Sequence, residues 1–410
     1  MEKEQFLQEA RQYGEQMLKD RRYLHAHPGT GFDLAETVAY VKAELTAMGY
    51  TPQDCGKAGV VALAGGKKPG KVFLIRGDMD ALPVAEESGE EFAAKNGRMH
   101  ACGHDMHATM LLGAARILKA HEDEIEGTVK LMFQPAEEIF EGAHDMLQAG
   151  VLQNPAVDAG MMMHVSAGMP FPVGTAVVMA PGVSASACDF FEIKIQGKGC
   201  HGSMPESGVD PITVAAHIVL ALQEIRTREL AMGDEAVLTI GTIQAGNAAN
   251  VIPDTALLKG SIRTFDEEVR QKIKDRMTAI VSGMAALYRA EGQVVFGSGC
   301  PTLKNDPQVA GSIASYAKEL LGPQGAFTPM ELAAMAGPGG NKQSKAGGSE
   351  DFAFVSQEIP TVMLALAAGR LQDGYTYPQH HPKVRFDEAV LVPGSALYAY
   401  AAMRWLAEHK

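Results

Sequence analysis

Five residues able to bind a metal or move a proton crowd into residues 100–107, HACGHDMH: His100, Cys102, His104, Asp105 and His107. Three chemistries compete for such a run: a redox thiol, a structural zinc clip, or one edge of a catalytic metal centre. The C-x-x-C spacing of a dithiol oxidoreductase is absent. A structural zinc site needs four Cys or His ligands at short paired spacings, and no second Cys pair lies nearby. Cys102 and His104 can supply two ligands from one loop, with His107 better placed for support. The remaining ligands must come from elsewhere in the chain.

Further donors stand at informative places. Asp78 and Asp80 lie just past the apolar run KVFLIR, Glu137 and Glu138 just past GTVKLMFQ, and His164 ends DAGMMMH; His380 and His381 follow a loop after TVMLALAA. Singly, each has an ordinary reading: paired glutamates usually mark a solvated face, and a histidine at a strand end is more often structural than a ligand. Together, acids and histidines at three successive strand ends match the place where open α/β sheets gather their sites. Cys102, His104, Glu138, His164 and one of His380 or His381 mix sulfur, nitrogen and oxygen donors and outnumber the ligands of one tetrahedral zinc. That surplus favours a hydrolytic pair of ions about 3.5–4 Å apart, bridged by one ligand and a water. Adjacent glutamates then divide two tasks, one binding metal and the other acting as general base. A P-loop reading of Gly65, Gly70 and Lys71 fails, because Val72 and a strand stand where Ser or Thr and a helix are required.

These residues need elements to position them. Residues 3–24 and 33–48 have helical spacing, 59–66, 71–78, 127–134 and 158–165 read as strands, and 107–120 is a helix between two of them. The alternation predicts an α/β fold, a central, mostly parallel sheet flanked by helices. Near residue 185 the pattern changes. A strand at 189–199, a helix opening on Asp210-Pro211, two strands, a helix at 266–291 and a strand at 293–300 give the β-α-β-β-α-β order of a ferredoxin-like block. A helix at 307–321, a strand at 360–367 and a helix at 393–408 resume the first pattern, and the Gly-rich 336–349, between the first two, reads as a loop. The expected organisation is a discontinuous catalytic, metal-binding domain of residues 1–184 and 301–410 carrying an inserted domain of residues 185–300.

Bulk properties remove whole classes of function. At 410 residues, with 46% apolar and 21% charged residues, the chain is an ordinary globular protein of about two domains. A net charge of −13 with no basic run argues against a nucleic-acid partner. The N-terminal stretch is charged from its second residue and lacks the apolar core of a signal peptide. No apolar run approaches the about 20 residues of a membrane span. Five scattered cysteines form no disulfide framework, so a reducing cytoplasm is the expected location.

The chain resembles, essentially end to end, the aminoacylase-type zinc metallopeptidase superfamily. Within it, the chain looks like the branch of bacterial N-acyl-amino-acid amidohydrolases, hippurate hydrolases and plant auxin-conjugate hydrolases. RRYLHAHPGTGFDLAET, RGDMDALPV, MHACGHDMHATMLLGAA, FQPAEE, MMMHV, GKGCHGSMPESGVDP, GNAANVIPD, GSIRTFD, GGSEDFA and HHPKVRFDE occur in the family's order. The resemblance implies that Cys102, His104, Glu138 and His164 bind two divalent ions, zinc first, with manganese or cobalt as alternatives, and that the Cys102 thiolate bridges them. It places the last ligand in an H-x-P pattern, hence His380, with His381 as the fallback. It makes Glu137 the general base, Asp80 the carboxylate that orients base or ligand, and His201 an oxyanion stabiliser that can come from a partner subunit. Asn250 and Arg263 match positions associated with the substrate's carboxylate, and the inserted domain is expected to act as a lid and to form homodimers or higher homo-oligomers.

The implied activity is metal-dependent hydrolysis of the amide bond of small N-acyl amino acids, releasing a carboxylate and a free amino acid. The alternatives are a carboxypeptidase or dipeptidase on the same scaffold, and a non-catalytic small-molecule-binding homologue, against which the presence of Glu137 argues. Three departures from the family pattern stand out: Cys200 beside His201, the bulky Ile139 and Phe140 with Glu141 after Glu138, and Asp78 where other branches carry a metal-binding histidine. The last suits a Cys-bridged centre, and Asp78 is not counted as a ligand.

Overall fold

A computed structural model describes residues 3–336 and 348–410. The described residues form two compact units, one of 3–184, 304–336 and 351–410, the other of 185–303 and 348–350. Residues 337–347 of the Gly-rich run expected to be a loop lie outside the described residues.

The first unit opens with α1 (Lys3–Gln12), α2 (Gly14–Ala26) and α3 (Ala35–Ala47). The single helix expected over 3–24 is two helices. The interruption falls at Tyr13, next to Gly14, a residue among the poorest helix formers. Next come β1 (Gln53–Cys55), β2 (Gly59–Gly65), β3 (Val72–Asp78), α4 (His104–Ala120), β4 (Thr128–Gln134), α5 (Gly142–Gln148), β5 (Ala159–Ser166) and β6 (Ala176–Val178). The chain passes to the second unit through β7 (Gly182–Ala185).

The second unit runs β8 (Ala187–Gln196), β9 (Cys200–His201), α6 (Pro211–Glu224), β10 (Ala236–Ala245), β11 (Val251–Ile252), β12 (Thr255–Thr264), α7 (Glu267–Leu287) and β13 (Glu291–Cys300). Its main sheet is antiparallel in the order β10-β12-β8-β13. Phe191, Ile193 and Ile195 of β8 share a core with Val214 and Ile218 of α6 and with Ile273, Met277 and Val281 of α7. Asp210 and Asp266 start the two helices by accepting backbone N–H bonds at their first turns. The helix expected to reach residue 291 stops at Leu287, two residues before Arg289 takes a left-handed φ of 66°.

The chain returns through β14 (Leu303–Asn305) to α8 (Pro307–Leu321), β15 (Ala326–Phe327), α9 (Pro329–Ala336), α10 (Ala353–Glu358), β16 (Thr361–Ala367) and α11 (Leu391–Glu408). The first unit's eight-stranded sheet has the order β1-β2-β4-β3-β5-β16-β6-β15. Its middle, β4-β3-β5-β16, is parallel throughout, while β1-β2, β2-β4 and β16-β6 are antiparallel. Every residue of β3 and β4 is buried, as a parallel strand covered on both faces requires. Because the middle strands run the same way, their carboxyl ends share one edge. Asp78, Gln134 and Ser166 are the last residues of β3, β4 and β5.

Candidate metal centre

After β4 the chain turns sharply, and the turn aims both glutamates. Ala136 and Phe140 have left-handed φ values of 55° and 54°, a conformation uncommon for alanine and an outlier for a bulky aromatic. The Ala136 carbonyl accepts from the N–H groups of Glu141 and Gly142 at 3.2 and 3.1 Å, and the Phe140 N–H donates to the Glu137 carbonyl at 2.8 Å. Gly142 is obligatory, because a Cβ there would sit 1.5 Å from the Pro135 carbonyl oxygen. Asp80, two residues past β3, fills the concavity: its carboxylate accepts from the N–H of Glu137 at 3.0 Å and of Glu138 at 3.2 Å.

The run HACGHDMH is a turn leading into α4, which begins at His104, three residues before the expected start at 107. Gly103 makes the turn at φ 93°, and a Cβ there would meet Val165 at 2.5 Å. Asp105 in the first helical turn is fully buried, held by Arg21 Nε at 2.9 Å and His25 Nδ1 at 2.8 Å. Burial raises the Asp105 carboxyl, but Arg21 and His25 outweigh it and hold it far below the usual range. His25 Nε2 in turn meets Glu86 at 2.9 Å.

Around this turn the proposed donors converge. Cys102 Sγ lies 3.4 Å from His164 Nε2, His104 Nε2 lies 3.8 Å from Glu138 Oε1 and 3.9 Å from Glu137 Oε2, and His380 Nε2 lies 3.6 Å from Glu138 Oε2. Cys102, His104 and His164 each place a donor atom within 4.8 Å of the others; so do Cys102, Glu138 and His380, and His104, Glu137 and Glu138. The Cys102 sulfur belongs to two of these groups at once.

Hydrogen bonding distinguishes His107 from the proposed ligands. His164 Nδ1 donates to the Val165 carbonyl at 2.7 Å, so Nε2 carries its lone pair toward Cys102. His107 has both ring nitrogens committed: Nε2 accepts from the Val165 N–H at 2.8 Å and Nδ1 donates to Asp78 at 2.6 Å. It therefore supports the centre, and burial pushes its pKa down to about 3. By contrast, both ring nitrogens of His104 and Oε1 of Glu138 are buried without a hydrogen-bond partner. Orphaned buried polar atoms of that kind are costly and rare, and a cation among them removes the cost. The titration pattern agrees. Burial pushes the Glu138 carboxyl up to about 7, aided by Asp80 and Asp78, and burial also raises the Cys102 thiol. Burial opposes protonation of His104, yet Asp78, Asp80 and Cys102 hold its pKa well above the ordinary value. A carboxylate, a thiol and imidazoles make a donor set suited to a thiophilic divalent metal.

His380 and His381 part company. The His380 N–H donates to the Ala101 carbonyl at 2.9 Å and its φ is 67°, which aims the ring at Glu138. His381 stacks on Tyr377 and accepts from the Lys383 N–H at 3.0 Å. In the second unit, His201 is exposed, accepts from the Ser203 hydroxyl at 2.7 Å, and pairs with Val251 next to Asn250. Arg263 stands on a different sheet, its Nη1 donating to Ser349 at 2.9 Å. Cys200 packs against Gly208, where a Cβ would sit 2.5 Å from its sulfur.

Sequence reasoning missed the charged residues beneath the site. Arg76, in the middle of β3, donates to Asp78 at 2.6 Å, to Gln134 at 2.8 Å and to Asp351 at 3.2 Å. Asp351 also accepts from Gln134 at 2.6 Å and from the Ala143 N–H at 2.9 Å, which ties it to the glutamate turn. The available signal was an arginine inside an apolar strand, where a charge needs a partner.

The sequence pattern described as peptidase family M20/M25/M40 matches residues 74–404. N-acetyl-L-cysteine deacetylase of Bacillus subtilis (strain 168) is 35% identical over 393 residues, covering 95% of this chain and 88% of its own. Thermostable carboxypeptidase 1 of Saccharolobus solfataricus is 34% identical over 409 residues, 98% of each chain. A solved Bacillus subtilis structure, a dinuclear metal binding peptidase from the M20 family, matches with a TM-score of 0.76 at 33% identity, over 98% of this chain and 100% of that one. Among the described residues no helix is long and apolar enough to cross a membrane.

Proposed function

The chain belongs to peptidase family M20/M25/M40 and is a metal-dependent hydrolase of amide bonds, and from that premise we propose that it cleaves small N-acyl amino acids to a carboxylate and a free amino acid. One observation carries the reading: a single sulfur, Cys102 Sγ, stands in two donor groups, with the Glu137 carboxylate beside them.

Cys102, His104, Glu138, His164 and His380 are the proposed ligands of two divalent ions, which when bound polarise the scissile carbonyl and acidify a water. Glu137 takes the proton of the attacking water and delivers it to the amine nitrogen as the C–N bond breaks. Asp80 keeps Glu137 and Glu138 in place through their backbone N–H groups and faces His104 Nδ1 at 3.4 Å. His201 is the proposed donor to the developing oxyanion, from this chain or from a partner subunit. Asn250, its neighbour, is the proposed contact for the substrate carboxylate; for Arg263 the same role rests on its charge. Zinc suits the thiolate best, with manganese or cobalt as alternatives. A cytoplasmic location fits the five cysteines without a disulfide framework. Homodimerisation is supported by exposed Val237 and Ile243 on the edge strand β10 and by Leu220 on α6.

Similarity to a carboxypeptidase keeps peptide cleavage as the second reading. A panel of N-acetyl, N-benzoyl and dipeptide substrates, run with metal analysis, separates the two. Glu137→Gln is expected to retain metal while turnover falls by about 10²–10⁴-fold. Cleavage of dipeptides alone would favour the carboxypeptidase reading. A fully active Glu137→Gln enzyme would overturn the mechanism, and tight binding of every substrate without turnover would favour a non-catalytic homologue.

A further inference from the structure

Two cysteines separated by nearly the whole second unit stand opposite each other in its sheet. Cys188 of β8 and Cys300 of β13 are Cα partners in the antiparallel register, just past the irregularity between Phe296 and Gly299. Directly opposed residues of an antiparallel pair point to one face with Cα atoms about 4.5–5.5 Å apart. A disulfide spans about 4.4–6.8 Å between Cα atoms. Both side chains are fully buried, and no disulfide joins them. Among the described residues no other two cysteines share a register position: Cys55 faces Gly59 and Cys200 faces Ile252. The row continues to Arg263 on β12, the partner of Cys188 on its other side. Burial raises the Cys188 thiol, and the Arg263 guanidinium pulls against that shift.

The location gives the pair a consequence. Cys188 follows β7, through which the chain enters the unit, and Cys300 precedes β14, through which it leaves. A bond between them would close the unit's chain into a covalent ring at its base.

We propose that Cys188 and Cys300 form a thiol modification site, a reversible cross-strand disulfide made under peroxide exposure. The Cys188 thiol, beside the Arg263 guanidinium, gives up its proton as its sulfur attacks a peroxide oxygen; the O–O bond breaks, the sulfur becomes a sulfenic acid, and the departing hydroxide takes that proton and leaves as one water. The Cys300 thiol then attacks that sulfur, and its proton departs with the sulfenic hydroxyl as a second water. Hydrogen peroxide gains two electrons and the sulfurs together lose two. A thiol reductant reverses the bond by exchange. Because the two cysteines are far apart in the chain, the bond removes much freedom from the unfolded state.

The test treats the full-length, metal-loaded enzyme with hydrogen peroxide, blocks remaining thiols, digests without reduction and maps the peptides by mass spectrometry. Expected are a linked Cys188–Cys300 peptide that dithiothreitol removes, its absence from Cys188→Ser and Cys300→Ala, and a thermal midpoint raised by at least about 5 °C in the oxidised wild type. Recovery of both cysteines unlinked after peroxide has already oxidised Cys102 would overturn the proposal. So would bonding of either one to a different cysteine. Should one variant fail to fold, the other variant and the wild-type map still decide.

Discussion

Replacing Asp80 by asparagine keeps the size of the side chain and removes its charge. In the native arrangement its carboxylate accepts from the Glu137 N–H at 3.0 Å and the Glu138 N–H at 3.2 Å, with His104 Nδ1 at 3.4 Å. An amide has one acceptor atom, and its NH₂ must face the second N–H donor against donor. One charge-assisted hydrogen bond is therefore lost, a loss of about 1.5–3 kcal/mol. If that energy holds Glu137 where it meets the attacking water, turnover falls about 10–150-fold, at about 1.4 kcal/mol per tenfold. Asp80 contacts backbone and the ring of a proposed ligand rather than substrate, so the loss should appear in kcat with KM nearly unchanged. His104 also loses a carboxylate neighbour, and metal affinity should weaken by about 10–100-fold. The assay is steady-state hydrolysis of an N-acetyl amino acid at saturating metal, paired with competition for the metal by a chromophoric chelator. Wild-type kcat in Asp80→Asn, or a loss confined to KM, would refute the reasoning.

Three more predictions rest on separate parts of the structure. Arg21 is 2% exposed and pairs with Asp105 and Glu388, so Arg21→Met should cost about 3–5 kcal/mol in urea unfolding by stranding Asp105. Arg21→Met with Asp105→Asn should recover part of it, and strict additivity would count against the pairing. Burial lowers the His121 pKa but Glu124 and Glu9 outweigh it, so the folded value lies above the unfolded one. The stabilisation is therefore complete below the unfolded pKa of about 6.5 and fades as pH rises through the folded pKa. The stability gap between wild type and His121→Gln should shrink from pH 6 to pH 9; a widening gap contradicts this. Chelation should lower the thermal midpoint and open Cys102 to thiol reagents, and peroxide after chelation should block reloading. Equal Cys102 labelling with and without chelator would remove it from the ligand set.

What could be read from the sequence follows from what is local. Buried parallel strands are continuous apolar runs, so β3, β4 and β5 announce themselves, and the acids and histidines at their ends stand out against them. What stayed hidden depends on residues distant in the chain or on torsions. Nothing near Arg21 signals Asp105, and nothing near Arg76 signals Asp351. His380 and His381 are identical letters in one motif, told apart by a left-handed φ and a bond to Ala101. The opposition of Cys188 and Cys300 is set by register, which five scattered cysteines cannot reveal.

Burial alone does not mark a ligand at this centre, since it acts on supports and proposed ligands alike; the difference lies in who answers each charge. Asp78 is fully buried, yet its two oxygens meet Arg76 at 2.6 Å and His107 at 2.6 Å, and Arg76 and the histidines overcome burial to hold it well below the usual range. Asp105 is answered at its Oδ2 by Arg21 and His25. Glu138 and Cys102 meet no such donor; the carboxyl rises to about 7 and the thiol rises with it. Among the acidic groups, those that the protein itself keeps ionised serve as scaffold, and those pushed toward their neutral forms need a cation from outside. By that criterion Asp78 belongs to the scaffold although it lies within 3.6 Å of His104. Asp78→Asn should accordingly loosen His107 and Arg76 and lower stability while leaving the number of bound metal ions unchanged. Loss of one ion from that variant, measured by metal analysis on folded protein, would move Asp78 into the ligand set.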